Sequence, residues 1–384
     1  MCLRLVISFP ESFKCLERLI LNHVQNKTKS HQDPCQFAYK SKRGVEDAVL
    51  TFLDLVYSHI DLPRNYCRIL FVDFSSAFNT IQPHILIDKQ RNMLLEPILS
   101  LWILDFLTNR TQYVKFNETL SQTITTNTGA PQGCVLSPVL FTLYTDECRI
   151  DDDNVKLIKF ADDSVIVGLC NNDTSENDYR EQIVYFDTWC DQHHLALNVK
   201  KTKEMVIDFR RIKNALSPLS IKNENVDTID CYTYLGINID DKLNWSKHTT
   251  VTSNKLSQRI GLLRKLSYLN IDNTLLSLFY KSTVESVLSW CLAAWGGNIR
   301  KGDSTRLNRA VTTGQKLCND VFPSLSSLYE NQCLRKINKI LLDENHPLSS
   351  KIKFSARTGR VLHLRCNRDR YFKSFLPSSV RMLN

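Results

Sequence analysis

Three carboxylates stand out for where the chain puts them. In Phe71-Val72-Asp73-Phe74-Ser75-Ser76-Ala77-Phe78 an aspartate ends an otherwise apolar run, and in Phe160-Ala161-Asp162-Asp163-Ser164 two more share a tight turn between apolar segments. Setting three acids against a hydrophobic sheet is costly unless cations compensate them. A pair of Mg²⁺ ions suits that task, because Mg²⁺ takes carboxylate, water and phosphate oxygens together. Two such ions can activate a hydroxyl nucleophile and stabilise a departing pyrophosphate in an in-line displacement. Each signal alone is weak, since Asp-Asp turns are common and an Asp often simply ends a strand. Their order and surroundings carry the argument.

The elements that position them can be read from periodicity. Arg68–Phe74 is a short apolar run typical of a buried strand, and Val155–Leu169 reads as strand, Asp-Asp turn, strand. Leu16–Val24 and Gly44–His59 have apolar residues at helical spacing, Pro83 opens another helix, and Leu95–Leu107 and Ser137–Asp146 are helical. Gln112–Phe116 with Gln122–Thr126 predicts a hairpin. A helix over Tyr179–His193, a strand at Glu204–Phe209 and a hairpin at Tyr232–Ile239 follow. Beyond Ser246 the pattern is mostly helical to about Leu342. A strand-and-helix core followed by a helical half is an α+β arrangement, with its natural division near residue 240.

At 384 residues the chain can bury a sizeable core, and its hydrophobic fraction of 43% with 23% charged residues does not suggest disorder. No apolar stretch reaches the roughly 20 residues of a membrane span, and no signal peptide is read at Met1–Ser8, so nucleus and cytoplasm are the expected locations. The thirteen cysteines are scattered without zinc-ligand spacing, which points to small buried hydrophobes. Net charge is +9; residues 351–384 carry nine Lys/Arg against the single acid Asp369. Phosphate binding and a solvated end account for that tail equally well.

Here a resemblance becomes specific. F-V-D-F-S-S-A-F-N-T at 71–80, G-A-P-Q-G-C-V-L-S-P at 129–138, F-A-D-D at 160–163, L-N-V-K-K-T-K at 197–203 and Y-L-G-I at 234–237 resemble, in order, five motifs of the reverse transcriptase family. The F-A-D-D form is that of its non-LTR (LINE-type) retrotransposon branch. The likeness extends upstream through D-P-C-Q-F-A-Y-K at 33–40 and G-V-E-D-A at 44–48, and downstream to S-F-L-P-S-S-V-R-M-L-N at 374–384.

The resemblance implies a right-hand polymerase: partial fingers and a palm with an antiparallel sheet over 1–240, a helical thumb over 241–345, and a basic C-terminal tail over 346–384. It implies RNA-directed DNA synthesis, with dNMPs added to a primer 3′-end by two Mg²⁺ ions, or Mn²⁺ as a substitute. Asp73 and Asp162 would ligate both metals, with Asp163 adding charge. Phe78 would stand beneath the incoming sugar and exclude a 2′-hydroxyl, the alternative being a plain core residue. Gln132 and Gly133 would line the nucleotide pocket, and Lys201 would approach the triphosphate, with Lys200 and Lys203 beside it leaving that choice open. Tyr234, Leu235 and Gly236 would form the turn that grips the primer. Arg4, Lys40 and Arg43 are candidates for contact with template or triphosphate. Trp245, Trp290 and Trp295 are expected as core anchors of the thumb rather than base-stacking platforms. The expected partners are an RNA template, a DNA primer or target, and dNTPs, with no membrane. The chain is read as a truncated copy that begins partway through the fingers and lacks the endonuclease of such elements. A catalytically inactive nucleic-acid-binding remnant of the same fold is the competing reading. A viral RNA-dependent RNA polymerase is disfavoured by Phe78 and the G-A-P-Q-G segment.

Overall fold

The computed structural model describes residues 11–29, 31–93, 95–212 and 216–384. Arg4 lies outside them. A five-stranded sheet is built from β1 (Tyr66–Val72), β2 (Val155–Phe160), β3 (Asp163–Cys170), β4 (Lys203–Asp208) and β5 (Asp227–Thr228), in the order β5-β4-β1-β3-β2. Four strands are antiparallel, and only the short edge strand β5 runs parallel to its neighbour. The palm sheet is thus antiparallel as expected, apart from that edge.

Side chains alternate across a strand, so β1 serves two cores at once. Cys67, Ile69 and Phe71 face a layer made by helix α2 (Val45–Ile60) and the helices of the C-terminal half, whereas Leu70 and Val72 face helices α3 (Pro83–Asn92), α4 (Pro97–Leu107), α5 (Ser137–Tyr144) and α6 (Asp173–Gln192). Both faces are covered, which is why β1 reads as a continuous apolar run.

Local expectations hold with shifted ends. Helix α6 begins at Asp173, six residues before the apolar periodicity shows, because the Asn172 side chain accepts the Ser175 N–H at 2.9 Å and caps a polar first turn. The expected hairpin pairs Arg110–Gln112 with Ile124–Thr126, and a smaller ladder, Lys115–Phe116 with Thr119–Leu120, closes its tip. The second hairpin, Cys231–Tyr234 with Ile237–Asp240, turns on Leu235 and Gly236, both at positive φ (48° and 83°).

The C-terminal half is helical through α7 (Ser246–Tyr268), a run from Asn273 to Leu288 with a π-helical turn at Tyr280–Glu285, a short helix Leu292–Trp295, α8 (Lys301–Cys318) and α9 (Leu325–Leu341). Position 240 is a change of secondary structure but not a break in packing. One apolar core joins Phe37, Phe52 and Phe71 to Leu256, Ile260, Trp295 and Ile337, and continues to Val380.

The basic tail is not a free end, although Lys353, Arg357, Arg360 and Arg365 stay exposed. Helix α10 (Phe375–Leu383) buries Phe375, Leu376 and Val380. The backbone N–H groups of Asn367 and Arg368 donate to the two carboxylate oxygens of Asp61 at 2.7 and 2.8 Å, and the Arg370 guanidinium lies 3.7 Å over the Phe209 ring. Charge counting had missed the apolar stripe that docks this segment. Among the described residues no helix is long and apolar enough to cross a membrane.

Candidate active site

The carboxylates meet at one edge of the sheet. Strand β1 delivers Asp73 just past Val72, and β3 pairs beside it in the register Val72↔Ser164. Phe160 pairs with Asp163, leaving Ala161 and Asp162 as the turn, with Ala161 held at φ 58°. Two anchors fix that turn. Gln36, itself buried, accepts the Ala161 N–H through its side-chain oxygen at 3.1 Å, and the backbone of Cys35 and Phe37 exchanges hydrogen bonds of 2.9 Å with Lys159. The end of β1 is held by the segment after α6: Asn198 N–H donates to the Asp73 carbonyl at 2.8 Å, and Asp73 N–H donates to Thr202 Oγ1 at 3.3 Å.

The electrostatics are those of an anionic cluster that one lysine only partly compensates. Asp73 Oδ2 is buried without a hydrogen-bond partner, and the nearest cation, Lys201 Nζ, stands 3.8 Å away on a side chain that is 70% exposed. Partial desolvation, then the charges of Asp162 and Asp73, push the Asp163 carboxyl up to about 6. Among the described residues no three His, Cys, Asp or Glu side chains form a ready-made metal shell. The donor set still fits Mg²⁺, which keeps waters and substrate phosphates in its coordination sphere and needs only one or two carboxylates from the protein.

A second segment docks against this edge. Gly129 N–H donates to Ile81 O at 2.7 Å and Ala130 N–H to Phe78 O at 2.8 Å, so residues 129–133 lie alongside the Phe78 turn. Gly129 sits at φ 75°, and a Cβ there would come within 2.8 Å of the Asn79 backbone, so only glycine fits. Phe78 is partly exposed with its ring 4.8 Å from that of Phe141, and Gln132 and Gly133 are exposed.

These features coincide with a family assignment. The model described as "Reverse transcriptase (RNA-dependent DNA polymerase)" matches residues 3–239, more than half of the chain. The chain belongs to the reverse transcriptase family. Similar proteins include the RNA-directed DNA polymerase from mobile element jockey of Drosophila melanogaster (24% identical over 74% of this chain and 31% of that protein). The probable RNA-directed DNA polymerase from transposon X-element of the same organism is 25% identical over 75% and 32%. The chain therefore spans about a third of the length of these curated relatives. A shorter match, to "Alkylated DNA repair protein alkB homolog 8, N-terminal", covers residues 245–286 within the helical half. Among solved structures, Candida tropicalis telomerase with a fragment of telomeric RNA aligns over 88% of this chain and 56% of that one, at 11% identity and a TM-score of 0.44, too slight a likeness to carry an argument.

As a reverse transcriptase the chain brings some expected site residues together and keeps others apart. Of the three neighbouring lysines, Lys201 is the one beside Asp73, while Lys203 pairs with Asp227 at 2.6 Å. Arg43 is paired with Asp343 at 2.9 Å and donates to Pro34 O at 2.7 Å. Lys40 donates to the Asp33 carbonyl, and burial with the neighbouring Arg43 pulls its ammonium down to about 8. Tyr234 is buried, its ring against Phe52 and Phe71, so the hairpin exposes Gly236 and part of Leu235 rather than the tyrosine.

Two tyrosines that motif reading passed over stand near the carboxylates. Tyr232 stacks on Phe71 at 4.1 Å, and burial, then Asp163 and Asp73, push its phenol up. Tyr39, on the loop that holds Ala161, is half-exposed, and burial, then Asp162, raise it. Glu17 was also missed. It is buried on helix α1 (Glu11–Thr28) and accepts the Leu136 N–H at 3.0 Å, fixing the segment that runs into α5. Its partner lies 119 residues away, and no local pattern marks it.

Proposed function

We propose that this chain is the polymerase portion of a non-LTR retrotransposon reverse transcriptase, which extends a DNA primer on an RNA template with dNTPs. The observation that carries the reading is the carboxylate edge: three acids on one sheet edge, with an Asp73 oxygen that accepts no hydrogen bond and has only the exposed Lys201 ammonium, 3.8 Å away, as a cation. A single solvated lysine does not balance three carboxylates, and an anionic edge of this kind suits cations from outside.

Two divalent cations, Mg²⁺ with Mn²⁺ as substitute, would be held by Asp73 and Asp162 with Asp163 adding charge, and would supply activation of the primer hydroxyl and stabilisation of pyrophosphate. The chain's own residues do the positioning. Lys201 reaches the same edge from the opposite charge and suits a triphosphate oxygen. The Phe78 ring, backed by Phe141, offers a wall against a 2′-hydroxyl, and the exposed Gln132–Gly133 segment leaves backbone open to a base or sugar. Helix α7 supports the nucleic-acid part. It carries Lys247, Lys255, Arg259, Arg264 and Lys265 with no Asp or Glu between Ser246 and Tyr268, and none of the five is in an ion pair with a described residue. Target nicking belongs to an endonuclease outside these motifs.

The test is primer extension on poly(A)/oligo(dT) with Mg²⁺ and dTTP, comparing the chain with its Asp162→Ala variant. Extension by the original chain alone is the expected result. Duplex binding without extension by either would instead mark a remnant that keeps the fold and has lost the chemistry.

A further inference from the structure

Of the three tryptophans expected as core anchors, two are: Trp245 and Trp295 are 1% and 0% exposed. Trp290 is 48% exposed. The helical run ends at Ser286–Leu288 and restarts at Leu292–Trp295, and the turn between them holds Cys291 at φ 46°. That break turns Trp290 outward while its neighbours Leu288 and Leu292 stay fully buried. The turn is rigidly supported. Gln332 Nε2 donates to Ser289 O at 2.9 Å, and Trp295 Nε1 donates to Trp290 O at 3.0 Å. An isolated exposed apolar residue needs no explanation. This one sits at a particular place.

A Cβ on Gly236 would lie 3.2 Å from Trp290 Nε1, so the indole rests on the tip of the Leu235-Gly236 hairpin turn. The other end of that hairpin carries Tyr232, stacked at 4.1 Å on Phe71, which stands two residues before Asp73 on β1. From Tyr232 to Gly236 is four residues, roughly 13 Å along a strand. At about 3.4 Å per nucleotide step this is roughly four nucleotides. The indole N–H donates to no described residue, and about half of the side chain is exposed.

We propose that Trp290 is a primer-strand contact, its ring packing against a sugar and its N–H donating to a phosphate oxygen about four nucleotides behind the primer 3′-end. The inference rests on the polymerase reading above, since only a primer terminus at the carboxylates brings a strand over this hairpin. Aromatic platforms on rigid supports bind nucleic acid without regard to sequence and lose affinity when truncated.

The test is binding of a labelled primer–template duplex, followed by anisotropy without metal or dNTP, so that chemistry plays no part. Trp290→Ala should weaken binding roughly tenfold, with Trp290→Phe recovering most of it and the melting temperature unchanged. Neutral methylphosphonate linkages at the third to fifth primer positions should weaken binding by the original chain and not further weaken Trp290→Ala. If alanine lowers the melting temperature, the decisive measurement becomes the quench of intrinsic fluorescence by duplex, present in the original chain and largely lost in Trp290→Phe. Equal affinity of Trp290→Ala, or an equal quench in Trp290→Phe, overturns the inference and leaves the polymerase reading standing. A chain that binds no duplex overturns both.

Discussion

Strand β1 carries charge at both ends, and the two ends treat it oppositely. Near its start, Arg68 is 1% exposed and fully answered: Nε and Nη2 form a two-pronged pair with Glu204 at 2.9 Å each, and Nη1 reaches Glu176 at 2.6 Å. Tyr179 and Tyr66 add hydroxyl donors to those glutamates at 3.1 and 2.7 Å. Five residues on, Asp73 has an oxygen with no hydrogen-bond partner and two further carboxylates for neighbours. The same sheet therefore holds a charge fully answered within the fold and, by contrast, a group of charges answered only by one exposed lysine. The difference lies in compensation, not in burial: the exposed Asp162 belongs to the second kind and the buried Glu204 to the first.

That contrast can be broken by exchanging the expected outcomes. Asp73→Ala and Asp162→Ala should reduce primer extension to background while Asp162→Ala leaves the unfolding midpoint within about 0.5 kcal/mol, or raises it, since it relieves like-charge crowding. Arg68→Met should do the reverse. It strands Glu204 and Glu176 without a cation and should cost about 3–5 kcal/mol in a urea titration. Specific activity of the fraction that remains folded should hardly move. Adding Glu204→Gln to Arg68→Met should return part of the loss. A destabilised Asp162→Ala together with a stable Arg68→Met would invert the assignment of the two ends.

The parts legible in the sequence are those whose logic is local. The Asp-Asp turn, its two strands and the positive-φ Gly236 all follow from neighbouring residues. What was not legible depends on distant partners. Nothing in R-I-L-F-V-D-F says that Arg68 will meet Glu204, 136 residues away. The segment 232–239 was placed correctly as a hairpin, yet Tyr232 and Tyr234 share the face that packs on Phe71, and only the further cover from Phe52 leaves Tyr234 fully buried while Tyr232 stays partly exposed. Counting charges over 351–384 hid Phe375, Leu376 and Val380, whose burial decides that segment. Position 240 looked like a boundary because strands give way to helices there, but the inward faces of the two halves share one core.

His248 tests the join between those halves. It sits on α7 with its ring 4.9 Å from that of Trp295, and its Nδ1 accepts the Asn238 N–H at 3.3 Å, which requires a neutral imidazole. Burial, then Lys255, pulls it down to about 4. The folded value lies below the ordinary one of about 6.5, so its contribution is complete above that pH and is lost as pH falls through 4. Stability measured from pH 7 to pH 4 should fall by roughly 2–3 kcal/mol on this account. His248→Gln, which keeps an acceptor for Asn238 and cannot titrate, should flatten that part of the curve. An unchanged slope would show that His248 does not stabilise the join between the hairpin and the helical half.

The smallest effect concerns the counterpart of the carboxylate edge. If uncompensated charge marks a ligand site, α7 is the cationic case. Its five basic residues lack ion-pair partners among the described residues; in the tail Lys351 engages Asp54, Lys373 engages Asp369 and Arg370 lies over Phe209, while Lys353, Arg357, Arg360 and Arg365 are exposed and likewise in no ion pair with a described residue. A polyanion binding along α7 releases counterions, so the logarithm of affinity should fall linearly with the logarithm of salt concentration. Lys255→Ala and Arg259→Ala, both exposed, should each reduce the magnitude of that slope by roughly 0.9 and weaken duplexes of any sequence alike. Lys373→Ala should leave it unchanged, because that lysine already has an internal partner. A slope that responds to Lys373 and not to Lys255 would move the nucleic-acid surface from the thumb to the tail, and would show that partnering within the protein does not predict which charges are free to bind.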